Sequence, residues 1–333
     1  MRVELVRASE ISPELSVQWS RAQSSRAEFA SPFFSPLFTQ AIGAFLDEIF
    51  VGVLECGGEM GFFPFQLLSP RTGRPPGGRV CDYQAVIAST DLDWTLDELL
   101  RGCRLDQYIY RRLLDCQPQF QRFHKASSSS ALIDLHDGFE AYAAGRKSSG
   151  SEAVNKVAVY HKKLERDHGP LRFEAKCSDL KVLEWLFAGK SAQYLRTGLD
   201  DQFRLLPWLK NFLASLHAAG DAAFGGLLSV LWAGDRIASA HLGLRQDHLL
   251  HYWYPCYEIA LKDYSPGLVL LMEIARNAAG CGISLIDMGR ADAPYKQRFM
   301  SAGMPIAEGI AVVTAPNPEG EQAYCANTSG VYP

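Results

Sequence analysis

The segment 248–299 constrains the fold more than any other part of the chain. Its pattern predicts a strand, a turn, a helix, a second strand and a short helix, in that order. The first strand, 248–254, is aromatic and is expected to end at Pro255, because proline cannot donate to a sheet ladder. The second strand, 283–287, is nearly all apolar, so we expect it to be buried on both faces. A unit of this kind can hold a phosphorylated cofactor beside the carboxyl ends of its strands.

The helix of this unit is expected to begin at Ser265-Pro266-Gly267 and to continue through the apolar segment 268–279. Ser265 suits the N-cap, where its hydroxyl accepts from a first-turn amide, and Pro266 suits the first helical position, where an N–H is not needed. The unpaired amides of the first turn would favour a phosphate or a carboxylate beyond the preceding strand. An ordinary capped core helix explains the same residues, and that alternative stays open.

The composition is that of an ordinary globular protein. With 333 residues, 47% hydrophobic and 21% charged, the chain is long enough for one large or two medium domains, and we expect two. The net charge of −4 argues against a DNA-binding protein held by bulk electrostatics, although a local basic patch is compatible with it. The start MRVELVRASEIS lacks the apolar core of a secretory signal, and no later run is long and apolar enough to span a bilayer, so we expect a cytoplasmic protein. The eight cysteines form no CxxC pair, which predicts neither a zinc site nor a disulfide framework.

The first half of the chain reads as mixed strands and helices around one acidic residue. Asp82 interrupts the apolar stretch 80–87, where it either caps a turn or contacts a substrate. The other expected elements are a strand at 2–7, a helix at 12–26, an aromatic turn at 31–36, a helix at 37–46, hairpin strands at 49–56 and 61–68, a surface loop at 71–78, a helix at 94–115, and strands at 120–123 and 130–135.

Segment 139–169 is the most basic part of an otherwise acidic chain. It reads either as a solvated helix face between two domains or as a patch facing a phosphate-bearing substrate. We place the domain boundary here. The expected divisions are an amino-terminal lobe at 1–145, a basic linker helix at 146–169, a carboxy-terminal lobe at 170–315 and a flexible tail at 316–333. In the second half we expect a strand at 171–175, helices at 180–194 and 201–219, and further strands before the helix at 268–279.

A hairpin in the second half predicts a cluster of polar side chains. If strands 237–244 and 248–254 are joined by a two-residue turn at Gln246-Asp247, His241 lies opposite Tyr252 and Ser239 opposite Tyr254. A register slip of one residue would remove this pairing. Nearby histidines also suggest a metal, but 248 and 251 differ by an odd number and point to opposite faces of a strand, so no metal site is predicted.

Seven short stretches, taken in order, carry a family resemblance: FASPFFSPLF, CDYQAVI, HKKLERDHG, DRIASAHLGLR, HYWYPCYEIALKDYSPGLVLL, ISLIDMG and PYKQRF. In this order they resemble the CelD/BcsL-like acetyltransferases of the GNAT superfamily, which are linked to bacterial cellulose and other exopolysaccharide synthesis. The resemblance covers nearly the whole chain and is strongest at 235–299. It implies an α/β fold with mixed sheets (α+β) and tandem GNAT-like lobes arranged as in the Fem peptidoglycan transferases, with a degenerate amino-terminal lobe.

The resemblance also implies acetyl-CoA, or another acyl-CoA, as co-substrate. In GNAT enzymes a glutamine- or arginine-led glycine-rich loop begins the helix that binds the pyrophosphate. This chain departs from that pattern, since it has Tyr264-Ser265-Pro266-Gly267 at the equivalent position. On the resemblance, Tyr264, Ser265, Gly267 and Leu268 are the expected cofactor-binding residues, with the amides of the last three binding the pyrophosphate.

The implied chemistry needs a base for the acceptor amine and an acid for the leaving thiolate. His241 is the expected base, because an imidazole changes charge near neutral pH. Tyr295 lies in the helix where GNAT enzymes often place a thiolate-protonating tyrosine, and Asp287 is expected to orient the amine. The expected substrate contacts are Asp82, Tyr252, Tyr254 and Lys296, the last of them through a substrate phosphate. Each of these residues also has a purely structural interpretation as a packing, capping or solvated side chain.

Three functions follow from these observations. The leading hypothesis is an acyl-CoA-dependent N-acyltransferase acting on an amino sugar or another glycan precursor, in contact with polysaccharide synthesis machinery. The second is a Fem-like transferase that uses aminoacyl-tRNA, which the basic segment would approach. The third is a degenerate transferase acting as a scaffold, which the missing glycine-rich loop favours.

Overall fold

The computed structural model describes residues 1–220 and 223–313. The expected tail at 316–333 lies outside the described residues. The strands are β1 (Arg2–Arg7), β2 (Ile49–Cys56), β3 (Glu59–Ser69), β4 (Thr72–Arg74), β5 (Ile87–Ala88), β6 (Gln107–Leu114), β7 (His124–Asp134), β8 (Leu171–Glu174), β9 (Phe224–Ala233), β10 (Arg236–Gln246), β11 (Leu249–Tyr257), β12 (Leu285–Arg290) and β13 (Ala302–Val312). The α-helices are α1 (Pro13–Ser24), α2 (Pro36–Gly43), α3 (Leu96–Gly102), α4 (Gly138–Ser148), α5 (Ala153–His168), α6 (Leu180–Thr197), α7 (Gln202–Leu205), α8 (Leu209–Ala218), α9 (Pro266–Asn277) and α10 (Pro294–Phe299).

The described strands form one mixed sheet in the order β1-β2-β3-β4-β6-β13-β7-β12-β11-β10-β9-β8, with β5 paired to β3. Strand β13, from the end of the described chain, lies between β6 and β7, and β7 in turn pairs with β12. Each half of the chain therefore contributes a strand to the part of the sheet built by the other half. Division into lobes at 145 and 170 stays a prediction, because the sheet is continuous across both positions.

The unit β11-α9-β12 has the predicted order, but its two strands pair over a short distance. Residues Leu249–His251 of β11 lie parallel to Leu285–Asp287 of β12. Beyond this ladder β11 continues to Tyr257, so the expectation that the strand ends at Pro255 is wrong. Proline is tolerated there because the ladder with β12 has already ended, which makes that side of β11 an edge. The ladder therefore ends at His251 and Asp287, where the two parallel strands stop pairing.

The hairpin register differs from the prediction. Gln246 pairs with Leu249, so the turn is one residue later than expected, and a bulge between Leu242 and Leu244 shifts the pairing again. As a result His241 lies opposite Pro255. The predicted pairings of His241 with Tyr252 and of Ser239 with Tyr254 are therefore wrong, since Ser239 lies opposite Tyr257. The rings of His241 and Tyr252 still stack, with centroids 4.0 Å apart.

The structure corrects four other predicted elements. The helix expected at 94–115 is α3 followed by β6, and the strand expected at 120–123 is a 3-10 helix. The surface loop expected at 71–78 contains β4, which pairs with β3 and β6. The helix expected at 201–219 is divided into α7 and α8 on either side of Pro207. In the two segments expected to be helical, pairing with distant strands or a local proline outweighs helical propensity.

The basic segment forms two helices rather than one. α4 ends at Ser148 and α5 begins at Ala153. In α5, Val157 and Leu164 are buried, whereas lysines 156, 162 and 163 are exposed. This arrangement is that of an amphipathic helix with a solvated face.

The halves share a hydrophobic core that leads to the strand ends. Phe38 of α2 packs edge-on against Phe212 of α8, with ring centroids 6.1 Å apart. Phe33, in the turn before α2, contacts the rings of His251 and Trp253 on β11, at 4.9 and 5.3 Å. The expected aromatic turn is therefore confirmed as buried, and it closes one side of the region around His251. Within residues 1–220 and 223–313, no helix combines the length and apolar character needed to cross a bilayer.

Candidate active site

A buried histidine joins two carboxylates at the point where β11 and β12 separate. His251 Nε2 lies 2.8 Å from Asp82 Oδ2, and its Nδ1 lies 3.5 Å from Asp287 Oδ2. The pairing of His251 with Asp287 in the parallel ladder places the histidine beside one carboxylate. The other carboxylate comes from the connection between a short 3-10 helix and β5, in the first half of the chain.

The surrounding residues fix both carboxylates. Asp287 Oδ1 accepts hydrogen bonds from the Ser130 hydroxyl on β7 (2.9 Å) and from the Gly289 amide (2.7 Å). Gly289 has φ 69°, a left-handed conformation that glycine adopts without strain. Arg112, on β6, forms an ion pair with Asp82. The chain Arg112–Asp82–His251–Asp287 is therefore assembled from both halves of the sheet.

In this cluster of four residues, each positive charge stabilises the neighbouring negative charge. Burial lowers the pKa of His251, but Asp287 and Asp82 raise it more, to about 9, so the ring carries a positive charge at neutral pH. Burial raises the pKa of Asp82, but Arg112 and His251 lower it more, to about 2. The pKa of Asp287 is likewise lowered, because His251 outweighs the effect of burial. The Asp82 side chain is 17% exposed and that of Arg112 is 26% exposed, against 1% for His251 and 0% for Asp287, so Asp82 is the carboxylate that a substrate can reach.

His241 lies next to the Arg112–Asp82–His251–Asp287 cluster but is not part of it. Its ring is fully buried, stacks on Tyr252 and accepts a hydrogen bond at Nε2 from the Trp253 amide at 3.2 Å. Burial holds the pKa of His241 well below its ordinary value, and the charge on His251 lowers it further. Burial and the bond to Trp253 leave its Nε2 no contact with an incoming amine. His251 is already protonated at neutral pH and His241 is buried, so of these three residues Asp82 is the one that an amine can contact.

The predicted tyrosine and lysine sites surround the separated strand ends. Tyr252 is buried, and its hydroxyl lies 3.5 Å from the Gly267 carbonyl at the start of α9. Tyr295, on α10, is close enough to raise the pKa of Tyr252 through its charge, after the larger effect of burial. Lys296, the next residue, donates to the Arg290 carbonyl at 3.0 Å, and its charge lowers the pKa of Asp82. The site thus brings Lys296 and, across the His251 ring, Asp287 close to Asp82, whereas Tyr252 contacts the start of α9.

Tyr254 belongs to the same region. It is buried, and the charges of Tyr194 and Asp82 raise its pKa further after the main effect of burial. Tyr264 does not belong to it, because its hydroxyl donates to Asp167 of α5 at 3.0 Å. The predicted cofactor role of Tyr264 therefore lacks support from its side-chain contact.

The beginning of α9 differs from the predicted pyrophosphate-binding site. Ser265 has φ 48° and ψ 49°, and its side chain makes no capping hydrogen bond. The Ser265 amide donates to the Lys262 carbonyl at 3.0 Å, and the Leu268 amide donates to the Ser265 carbonyl at 2.9 Å. Two of the three amides predicted to bind a pyrophosphate are thus already bonded within the chain. The first turn fits that group only through the Gly267 amide and the positive end of the helix.

Sequence reasoning missed two residues of the site. His251 was considered only as a metal ligand, and its signal was the parallel pairing of an aromatic strand with the strand ending in Asp287. Arg112 lies in a segment expected to be helical, although the run Tyr108-Ile109-Tyr110 before it has the aromatic and β-branched residues typical of a strand. Within residues 1–220 and 223–313, no three His, Cys, Asp or Glu side chains are grouped as metal ligands.

One segment of the chain matches a described protein family. Residues 151–297 match a family model described as an acetyltransferase (GNAT) domain. That segment contains His251, Asp287 and Lys296, whereas Asp82 and Arg112 precede it. A search of curated proteins finds no significant match.

Solved structures resemble nearly the whole chain. The C-terminal domain (DUF2156) of a putative lysylphosphatidylglycerol synthetase from Agrobacterium fabrum has a TM-score of 0.55 at 12% identity, covering 90% of this chain and 92% of its own. FemX has a TM-score of 0.53 at 11% identity, covering 93% and 96%. A tandem GNAT protein from the clavulanic acid biosynthesis pathway has a TM-score of 0.51 at 10% identity, covering 95% and 100%. The predicted fold class is thus confirmed: the chain has a mixed α/β fold of the tandem GNAT, Fem-like type, with a segment that matches a GNAT acetyltransferase domain.

Proposed function

We propose that the protein is an N-acyltransferase in which an acceptor amine reacts beside Asp82, His251 and Asp287. One observation carries the proposal: a charged histidine–carboxylate chain lies where two parallel strands stop pairing, in a fold of the tandem GNAT type. A buried, perturbed cluster at such a position is typical of a catalytic site rather than of a core.

The exposure and the charge of each residue indicate its role in the reaction. The partly exposed Asp82 carboxylate accepts a hydrogen bond from the acceptor amine and orients it. The ammonium proton becomes acidic once the nitrogen bonds to the acyl carbon, and it passes to solvent beside Asp82, because a carboxylate with a pKa of about 2 is too weak a base to hold it. His251 and Arg112 keep Asp82 ionised before that step, and Asp287 holds the His251 ring in place. Burial raises the pKa of Tyr295, so its hydroxyl stays protonated and can donate to the leaving group.

The proposed donor is acetyl-CoA or another acyl-CoA, which supplies an activated acyl group when bound. The Gly267 amide and the positive end of α9 support this choice, and the separated ends of β11 and β12 leave an edge along which an extended donor can lie. The proposed acceptor is an amino sugar or another glycan precursor of exopolysaccharide synthesis in the cytoplasm. That part rests on the resemblance to CelD/BcsL-like enzymes.

Calorimetric titration with acetyl-CoA and with longer acyl-CoAs tests the donor. We expect saturable binding that is lost in Gly267→Glu, because the added carboxylate repels the pyrophosphate. A Cβ at Gly267 contacts only the Tyr257 ring, at 3.6 Å, so the variant is expected to fold. Gly280→Glu is the matched control beyond the other end of α9, where an added Cβ meets no atom within 4 Å. Equal loss in both variants, or no binding by the parent, would contradict the acyl-CoA donor.

A second candidate is a Fem-like transferase that takes its acyl group from aminoacyl-tRNA. The internal bonds of the Ser265 and Leu268 amides favour it, since such a donor does not need a pyrophosphate cradle. The exposed lysines of α5 would then contact the RNA. Filter binding of aminoacyl-tRNA at increasing salt distinguishes the two donors, and Lys162→Glu should weaken RNA binding without changing any acyl-CoA titration. Failure to bind either donor would instead favour a scaffold.

A further inference from the structure

Three residues line one edge of the His251 ring. Asp287 lies 3.5 Å from Nδ1 and Asp82 lies 2.8 Å from Nε2. Gly289 lies between them, beside Cε1, and the alternation of side chains along β12 gives residues 287 and 289 the same face. Two of the three residues place carboxylates at this edge, and the third has no side chain.

The missing side chain of Gly289 leaves a space the size of a methyl group. A Cβ built on Gly289 would lie 3.5 Å from Asp82 Oδ2, 3.6 Å from His251 Cε1 and 3.8 Å from its Nε2. These are ordinary van der Waals distances, and apart from the two chain neighbours of the glycine no described atom is closer. Gly243 differs, because a Cβ there would lie 2.6 Å from His241 Cε1. An additional atom therefore fits beside Asp82, whereas close packing excludes one at Gly243.

The divergence of the strands produces this space. The ladder between β11 and β12 ends at Asp287, and the pairing of β12 with β7 leaves out residues 288 and 289. Gly289 is thus outside both ladders, with φ 69°. A left-handed backbone favours glycine by itself, so the residue type alone does not indicate a ligand. The indication comes from the polar atom that borders the space.

That atom, Asp82 Oδ2, has capacity for another hydrogen bond. It accepts one from His251 Nε2, and a carboxylate oxygen can accept a second through its other lone pair. The Asp82 side chain is 17% exposed, so solvent reaches this end of the cluster. Asp82 already has two cationic partners, Arg112 and His251, so the site favours an uncharged donor over an ammonium. The uncharged form of an amine is also the form that attacks an acyl carbon.

We propose that the nitrogen of the acceptor amine binds over Gly289, where it donates to Asp82 Oδ2, and that the missing side chain of Gly289 selects a primary amine. This inference rests on the proposed function, since it describes the acceptor of that reaction. A space the size of a methyl group admits the nitrogen and leaves the direction toward solvent for the carbon that carries it. A second substituent on the nitrogen would meet the His251 ring or the backbone of β12.

Methoxyamine is a probe for this subsite, because it is a small primary amine that is uncharged at neutral pH. Its binding can be followed by the Hε1 NMR signal of His251 in protein with labelled histidine, assigned with His251→Gln. We expect a saturable shift of this signal in the parent protein. Gly289→Ala should weaken binding by about tenfold or more, because its methyl group takes the place of the nitrogen and a hydrogen bond to a charged acceptor is lost.

Gly198→Ala is the matched control for the backbone. Gly198, at the end of α6, has φ 68°, and a Cβ there meets no atom within 4 Å. This variant should bind methoxyamine as the parent does. No saturable shift in the parent, or equal binding by the parent and Gly289→Ala, would overturn the proposal.

N,O-dimethylhydroxylamine tests the selection of a primary amine. It is also uncharged at neutral pH, but its nitrogen carries an additional methyl group. We expect the parent protein to bind it about tenfold or more weakly than methoxyamine, as overpacking of a closed space does. Equal binding of the two amines would overturn the assignment of this selectivity to Gly289.

The titration of His251 distinguishes a binding role of residue 289 from a structural one. Both alanine variants add a side chain to a left-handed glycine, so both should lower the melting temperature to a similar extent. The pKa of His251, about 9 in the parent, should stay close to that value in Gly289→Ala, because the added methyl group only touches the ring. A lowered pKa would show that residue 289 supports the ring instead of contacting the acceptor, and would overturn the proposal.

The donor is tested separately from this subsite. Amine binding is measured without a donor, so failure of acetyl-CoA to bind would contradict the acyl-CoA donor alone. Where the parent binds acetyl-CoA, Gly289→Ala should bind it equally, because the start of α9 is unchanged. Loss of both acetyl-CoA and methoxyamine binding in this variant would show that residue 289 shapes the whole site, and would overturn its assignment to the acceptor.

Discussion

His251 holds two buried carboxylates together through its charge. Its pKa in the folded protein is raised to about 9, above an ordinary value of about 6.5 in the unfolded chain. The stabilisation is therefore fully present below about pH 6.5 and is lost as the pH rises toward about 9. We expect the melting temperature of the parent to fall across this range and that of His251→Gln to change much less.

The exposed histidine His136 provides the control for this measurement. His136→Gln should show the same fall in melting temperature as the parent between neutral and alkaline pH. If His251→Gln shows that fall as well, the histidine is not the group that titrates, and the charged chain described for the site is incorrect.

Tyr295 is expected to act on the leaving group. Tyr295→Phe keeps the ring that packs near Tyr252 but removes the hydroxyl, so turnover should fall by about a hundredfold, with little change in donor binding. Single-turnover measurements with acetyl-CoA and an amino-sugar phosphate locate the effect at the chemical step. Tyr160→Phe, on α5, should leave the rate unchanged. A rate for Tyr295→Phe equal to that of the parent would remove its proposed role.

The sequence indicates single residues of the site more readily than the residues that they contact. Asp82, Asp287 and Lys296 could be selected because polar residues stand out within or beside apolar runs. The contact between His251 and Asp82 spans 169 positions, and no periodicity of either segment encodes it. The sequence favours His241 as the catalytic histidine. The structure buries this side chain completely, which the sequence does not reveal, so a substrate does not contact it.

Among the elements, those with local signals were predictable and those set by distant pairing were not. Ser12 and Pro13 mark the start of α1, and Gly57-Gly58 marks the turn between β2 and β3, as expected. β6 lies in a segment that the sequence predicts to be helical, because its place between β4 and β13 depends on strands far away in sequence. The bulge in β10 was equally hidden, since it depends on how β10 packs against β11.

The bulge at Gly243 supplies a prediction for this element. A Cβ at Gly243 would lie 2.6 Å from His241 Cε1 and 2.9 Å from the His251 carbonyl oxygen. Gly243→Ala should therefore lower the free energy of unfolding by about 1–3 kcal/mol, as overpacking of a core does. Urea denaturation measures the change. Gly280→Ala, where the added methyl meets no atom within 4 Å, is the control and should be close to neutral. Equal stability of the two variants would show that β10 adjusts at the bulge without cost.

For the molecule as a whole, the sequence predicted the fold class but not the exchange of strands between its halves. The tandem arrangement suggests two units that each fold alone, joined near residues 146–169. In the structure β13 completes the sheet between β6 and β7, and β12 pairs with β7. Asp82 and Arg112 also come from one half, and His251 and Asp287 from the other. Folding and the assembly of the site therefore depend on both halves.

Separate expression of residues 1–150 and 151–333, which leaves both α4 and α5 intact, tests this dependence. We expect neither fragment to fold cooperatively, because the first lacks β13 and the second lacks the strand that borders β12. Co-expression should restore a stable complex, since the sheet ladders need no covalent link between the halves. Gel filtration and thermal unfolding followed by circular dichroism measure both outcomes. An intact chain nicked at 149–152, between α4 and α5, serves as the reference for a correctly assembled pair. Cooperative unfolding of residues 151–333 alone would show that the carboxy-terminal half is an independent domain and that β7 contributes residues to its site without supporting its fold.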